Sequence, residues 1–148
     1  MKQFTLFCLL SLIAVSCGRY SEKEKQEFDT KIKNYIAKNQ LQMTKSDSGL
    51  YYRIDEVGEG EEIKPTAIIL AKYSGKLLSG KIFDEQKEPV ELTLNKLVHG
   101  WREIAYYLKP GGKATIICPP HLGYGPQAIG DIPKDAILIF DIEIVEAY

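Results

Sequence analysis

Few residues in this chain can carry covalent or metal chemistry. Its cysteines are Cys8, Cys17 and Cys118, and its histidines are His99 and His121. No Cys-x-x-Cys or His-x-x-x-His pair occurs, so neither a disulfide framework nor a metal site is expected. No cofactor is expected either. Gly58-x-Gly60 and Pro110-Gly111-Gly112-Lys113 are glycine-bearing turns. Neither ends a strand and opens a helix, as a phosphate-binding loop must. What remains is aromatic, hydroxyl and carboxylate chemistry. Trp101 shares a helical face with Ala105 and Leu108, and spacing alone makes it a core residue. Tyr73 on its own reads as an ordinary strand aromatic. Tyr124 stands between Gly123 and Gly125 in a loop, where a packed role is less expected. Asp84 reads either as a carboxylate satisfied by nearby donors or as a charge aimed at a reacting group.

The elements that must position these residues are mostly strands. Leu50–Val57, Ala67–Ser74, Lys76–Leu78, Lys81–Phe83, Val90–Leu94, Ala114–Cys118 and Ala136–Val145 are β-rich runs separated by Gly and Pro. Ser79-Gly80 marks a hairpin turn. The segment His99–Leu108 breaks the pattern with a helical repeat and is stopped by Lys109-Pro110-Gly111-Gly112. Strands around one short helix predict an α+β fold, with an antiparallel sheet of five or six strands curved over that helix. Upstream, Phe28, Ile32, Tyr35 and Ile36 fall at i, i+4, i+7 and i+8, which predicts a helix with a narrow apolar stripe. It reads as a spacer, as a helix docked on its own domain, or as a dimerisation face. Ser46-Asp47-Ser48-Gly49 reads as a loop and a domain boundary.

Composition narrows the partners. The formal net charge is −1, and the lysines around Lys23–Lys33 alternate with acids. That is a solvated helix face rather than a polybasic patch, so nucleic acid is not an expected partner. At the N-terminus, Lys2 precedes about 12 mostly apolar residues, Phe4–Val15. A membrane-spanning helix needs roughly 20, so the stretch fits a signal-peptide core. It ends Ala14-Val15-Ser16-Cys17-Gly18, which resembles a bacterial lipobox, although Ala14 stands where Leu is usual. Residues 1–16 are therefore expected to be a lipoprotein signal peptide and Cys17 the lipidated residue. Several acyl chains would hold the protein on a membrane, where one alone is marginal. The expected location is the cell envelope, on the outer membrane facing the periplasm.

The ordered motifs resemble one family. They are Ser48-Gly49-Leu50-Tyr51-Tyr52, Gly58-x-Gly60, Lys72-Tyr73-Ser74-Gly75-Lys76-Leu77, Gly80-x-x-Phe83-Asp84, Pro89-Val90-Glu91-Leu92-x-Leu94, Leu97-Val98-x-Gly100-Trp101, Leu108-Lys109-x-Gly111, Gly123-Tyr124-Gly125, Ile132-Pro133 and Phe140-Asp141-Ile142-Glu143-Ile144. Each is weak alone. Together, in order over about 100 residues, they resemble an FKBP-type peptidyl-prolyl cis-trans isomerase, in its secreted bacterial lipoprotein form. The resemblance divides the chain into the leader (1–16), the lipid-anchor residue with a helical spacer (17–47) and the isomerase domain (48–148).

The resemblance also implies a proline pocket. Trp101 would be its floor. Tyr73, Phe83, Val98 and Phe140 would be its walls, with Val90 and Leu97 beside them and Ile132 on the loop at its edge. Asp84 would stand at the rim near the reacting carbonyl. Tyr124 and the Val98 N–H would donate to substrate carbonyls, which makes Asp84, Tyr124 and Trp101 the expected catalytic set. Val90 replaces an aromatic residue usual in the family, and Asp131 an apolar one. The implied partners are proline-containing polypeptides, with FK-type macrolides as candidate ligands, and the expected state is a monomer. The rival reading is a membrane-anchored peptide-binding chaperone with weak or no isomerase activity.

Overall fold

The structure, a computed structural model, describes residues 20–148. Cys8, Cys17 and the expected leader (1–16) lie outside the described residues. Helix α1 (Glu22–Lys38) opens on a capping box. The Ser21 hydroxyl accepts from the Glu24 N–H at 3.2 Å, and the Glu24 carboxylate accepts from the Ser21 N–H at 2.8 Å. Two donors left over at the helix start are thereby satisfied. The apolar stripe does not face solvent. Phe28 and Ile32 are buried and pack with Tyr20, Tyr51, Ile117, Ile137 and Ile139. Of the three readings of this helix, docking on its own domain describes it.

Six strands follow, all pairing antiparallel in the order β1-β2-β5-β6-β3-β4. They are β1 (Thr44–Lys45), β2 (Tyr51–Glu56), β3 (Ile68–Leu77), β4 (Ile82–Thr93), β5 (Lys113–Cys118) and β6 (Leu138–Ala147). The expected break before residue 48 is not where the contacts separate. Thr44 and Lys45 already pair with Tyr52 and Tyr51, and α1 covers one face of the sheet. An apolar stripe in water is unfavourable, and this sheet offers the surface that buries it.

The main core lies on the other face. Helix α2 (His99–Ala105) packs Trp101, Ile104 and Ala105 there against Ile69, Ala71, Ile116, Phe140, Ile142 and Ile144. Alternation along the strands makes both faces possible: Ile116 and Phe140 join this core, while Ile117 and Ile139 join the α1 cluster. The expected α+β architecture is what the chain adopts, with a second helix on the outer face.

Two strands run longer than their sequence predicts. β3 continues through Gly75, which pairs with Asp84 on one side and Phe140 on the other. A Cβ at Gly75 would lie 2.7 Å from the Phe83 ring and 2.9 Å from the Phe140 ring. The glycine is there because two aromatics close over it, not because the strand stops. β4 joins the runs Lys81–Phe83 and Val90–Leu94 across a polar stretch that propensity reads as loop. It lies at the sheet edge, so it needs only one partner and can show polar side chains to water. Between Gln86 and Val90 the ladder slips, with one residue of β3 opposite three of β4.

Candidate active site

An aromatic cup forms where β3, β4 and β6 meet the start of α2. Tyr73, Phe83, Asp84, Leu92, Lys96, Leu97, Val98, Trp101, Tyr124 and Phe140 line it, around a space of about 110 Å³. Drug-sized ligand pockets start near roughly 300 Å³, so this one suits a single small ring.

Trp101 is 4 % exposed and lies at the bottom. Tyr73 meets it edge-on, with ring centroids 5.3 Å apart and planes at 90°. Phe140 meets Trp101 at 5.8 Å and 78°, and Phe83 meets Phe140 at 5.7 Å and 88°. Edge-to-face pairs of this kind are favoured by ring quadrupoles and lock one another's orientation. The strands hold the rings in place: Tyr73 and Gly75 on β3, Phe83 and Asp84 on β4, Phe140 on β6.

The polar groups sit at the rim. The Tyr73 hydroxyl donates to Asp84 Oδ2 at 2.6 Å. Burial first, then that bond and the Asp84 charge, push the Tyr73 phenol far above its usual range. Burial and the Asp84 charge also raise the Tyr124 phenol. Both phenols therefore keep their protons at neutral pH and can act as donors. Tyr124 is 39 % exposed, and its hydroxyl makes no hydrogen bond among the described residues. Val98 is the N-cap of α2. Its carbonyl accepts from the Trp101 and Arg102 N–H groups, while its own N–H has no backbone partner among the described residues. Two free donors thus stand beside an apolar cup.

Most of the residues singled out from the sequence converge here: Tyr73, Phe83, Asp84, Leu97, Val98, Trp101, Tyr124 and Phe140. Val90 and Ile132 do not line the space. Val90 pairs with Ala71 on the same face of β4 as Leu92, which pairs with Ile69. It is Leu92, nearer in the chain to Leu97 and Val98, that reaches the cup. The alternation Val90–Leu92–Leu94 carried that signal, but it could not say which of two like-facing residues arrives. Ile132 is 6 % exposed and packs in the main core. Lys96, also missed, brings the one cation of the lining. Asp131 pairs with Lys81 at 3.3 Å, with both side chains largely in water. A pair so exposed adds little stability and does not close the rim.

A larger cleft of about 450 Å³ lies between α1 and the Ser48–His121 region. It is lined by charges, several of which satisfy one another, such as Asp29 with Lys45 at 2.7 Å. It lacks the apolar lining of a small-ligand site.

A family model described as FKBP-type peptidyl-prolyl cis-trans isomerase matches residues 59–145. Among curated proteins, the chain is 42 % identical over 135 residues to the FKBP-type peptidyl-prolyl cis-trans isomerase FkpA of Buchnera aphidicola, covering 82 % of this chain and 54 % of the relative. It is 33 % identical over 147 residues to FkpA of Escherichia coli strain K12, covering 96 % and 54 %. The chain thus spans about half the length of the curated relatives it matches. The crystal structure of FkpA from Escherichia coli superposes with a TM-score of 0.73, covering 85 % of this chain and 62 % of that one. The crystal structure of AtFKBP13 superposes with a TM-score of 0.65 at 30 % identity, covering 73 % of this chain and all of that one (100 %).

Proposed function

The chain belongs to the FKBP-type peptidyl-prolyl cis-trans isomerase family, and from that premise we propose that it accelerates rotation about X–Pro bonds in other polypeptides. The observation that carries this reading is the small aromatic cup floored by Trp101, with free donors at its rim.

The chemistry asks little of the protein. Rotation about an X–Pro bond has a barrier near 20 kcal/mol and takes tens to hundreds of seconds unaided. No bond breaks, so no nucleophile is required. The planar amide is more charge-separated than the twisted transition state. A water-poor cup therefore favours the twisted form relative to the planar one. Trp101, Tyr73, Phe83 and Phe140 hold the pyrrolidine ring while the flanking chain turns. The Tyr124 hydroxyl and the Val98 N–H donate to substrate carbonyls on either side. Contacts that strengthen only in the twisted geometry are the ones that speed the step, and each tenfold gain needs about 1.4 kcal/mol. Asp84 accepts from Tyr73, which fixes one wall, and its charge complements the rotating carbonyl carbon. It transfers no proton, because the reaction has none.

The substrates on this reading are exported polypeptides with accessible prolines, and FK-type macrolides are candidate ligands for the same cup. Residues 1–16 act as a lipoprotein signal peptide and Cys17 carries the anchor. The domain then works as a monomer at the outer membrane, facing the periplasm. The lipobox-like Ala14-Val15-Ser16-Cys17 is what supports this placement. Cys17→Ser should release the protein from the membrane fraction, and retention of that variant would overturn the anchor.

Proline-limited refolding of a model protein tests the isomerase reading. The chain should shorten the slow phase, and Trp101→Leu should lose most of that effect. Peptide binding without any acceleration would leave a binding chaperone in place of an enzyme.

A further inference from the structure

The loop that leaves the cup at Tyr124 closes on itself at Asp135, just ahead of β6, and its foot is held by a residue from the other end of the chain. The Tyr20 hydroxyl donates to Asp135 Oδ1 at 2.7 Å, across 115 positions of sequence. Tyr20 is 8 % exposed. Its ring stands edge-on to Phe28 at 5.2 Å and 89° and packs with Ile137 and Ile139. Burial, then the bond to Asp135, raise its phenol far above the usual range, so the donor persists at any working pH.

Asp135 itself has φ +56°, a left-handed conformation that costs free energy in a non-glycine residue and persists only where surrounding contacts hold it. From that conformation its N–H donates to the Gly125 carbonyl at 3.0 Å, closing the loop, and the Gly125 N–H donates to the Pro120 carbonyl at 3.0 Å. Gly125 adjoins Tyr124. A continuous bonded path therefore runs from Tyr20 through Asp135 to the backbone of Gly125, next to Tyr124, whose hydroxyl no side-chain bond holds among the described residues.

We propose that Tyr20 is a positioning residue for Tyr124: by fixing Asp135 it sets the closing pair of the 124–135 loop and so the place from which Tyr124 donates to substrate. The catalytic consequence rests on the isomerase reading. The effect on the loop does not.

The test uses the full chain with Tyr20→Phe, which keeps the ring and its packing and removes only the hydroxyl. Loss of one hydrogen bond at such a joint should lower kcat/KM by about threefold to tenfold. Asp135→Asn keeps an acceptor and tolerates the left-handed backbone, so it should stay near the parent rate, whereas Asp135→Ala should fall with Tyr20→Phe. In a Tyr124→Phe background, Tyr20→Phe should cost nothing further, because the hydroxyl it positions is gone. An unchanged rate for Tyr20→Phe, or an equal loss in both backgrounds, would overturn the proposal. Amide exchange at Asp135 reads the loop independently of catalysis and should quicken in Tyr20→Phe. Unaltered exchange overturns the proposal as well. A parent chain with no isomerase activity would sink the functional reading and leave the exchange to decide this one.

Discussion

Tyr73 on β3 and Asp84 on β4 are diagonal neighbours in the hairpin ladder, joined by a 2.6 Å hydrogen bond from phenol to carboxylate. The two residues belong to different parts of the same cup. Tyr73 packs its ring against Trp101, and Asp84 stands exposed at the mouth. The bond therefore fixes an apolar wall from a polar rim. It also orients the one carboxylate in the lining.

Tyr73→Phe separates these roles. The ring stays, so the edge-on contact with Trp101 survives. The bond goes, and Asp84 is free to turn toward water. An exposed carboxylate loses little by that, so unfolding free energy should change by about 1 kcal/mol or less. Turnover should suffer more, with kcat/KM lower by roughly threefold to tenfold. A peptide assay beside a urea titration checks both. An unchanged rate would mean that the wall needs no help from Asp84.

Three buried or half-buried phenols share one arrangement and predict one alkaline transition. Tyr20, Tyr51 and Tyr73 each donate to a carboxylate, on Asp135, Asp29 and Asp84. In each, burial leads and the carboxylate adds, and the phenol is raised above its ordinary value near 10. The folded state thus holds these protons more tightly than the unfolded chain. Stability from them is complete below about pH 10. It declines as pH rises further, because the unfolded chain releases protons first. Urea midpoints should be flat from neutrality to about pH 9.5 and fall beyond it. A flat profile through pH 11 would show that the phenols contribute nothing.

What could be read from the sequence divides along physical lines. Trp101, Phe83, Tyr73 and Phe140 were legible only together: each motif is weak alone, and it is their order along the chain that resembles the family's pocket. Tyr124 was legible because a tyrosine flanked by glycines has little packing to do. The continuation of β3 through Gly75 was not. Glycine in a strand usually marks its end, and only the Phe83 and Phe140 rings, far off in sequence, explain it. Leu92 and Val90 could not be ranked, because the ladder slip between them and Gln86 is set by pairing with β3. The docking of α1 left a stripe as its only trace. A stripe states that something is covered, not what covers it.

Asp29 carries the acid counterpart of the phenol prediction and tests that docking. It sits on α1 and accepts from Lys33 on its own helix, from Lys45 on β1 and from Tyr51 on β2. Burial raises its carboxyl, but those three partners outweigh it and bring it down to about 2. With a folded value below the unfolded one, its contribution is complete above about pH 4. It is lost as pH falls toward 2, because the unfolded chain takes up the proton first. Stability should therefore drop between pH 4 and pH 2, and Asp29→Asn should flatten that limb while weakening the protein at pH 7. An identical acid limb in the variant would place the transition on other carboxylates.

Gly75→Ala is the sharpest test of how the cup is built. The backbone at Gly75 is ordinary extended strand, so any cost comes from the methyl group alone. That methyl would lie 2.7 Å from Phe83 Cε2 and Cζ and 2.9 Å from Phe140 Cε1, closer than real contacts allow. Phe140 is buried against Trp101 and cannot retreat without moving the floor. Phe83 is the freer ring, at the edge strand. Overpacking of this kind costs about 1–3 kcal/mol, and the displaced rings should lower kcat/KM by about tenfold or more. A second change distinguishes the two effects. Phe83→Leu in the Gly75→Ala background makes room for the methyl, so the melting temperature should recover. The rate should not, because the wall that grips the ring has been cut away. Recovery of both would mean that the Phe83 ring is a packing residue and that Trp101, Tyr73 and Phe140 suffice to hold a proline.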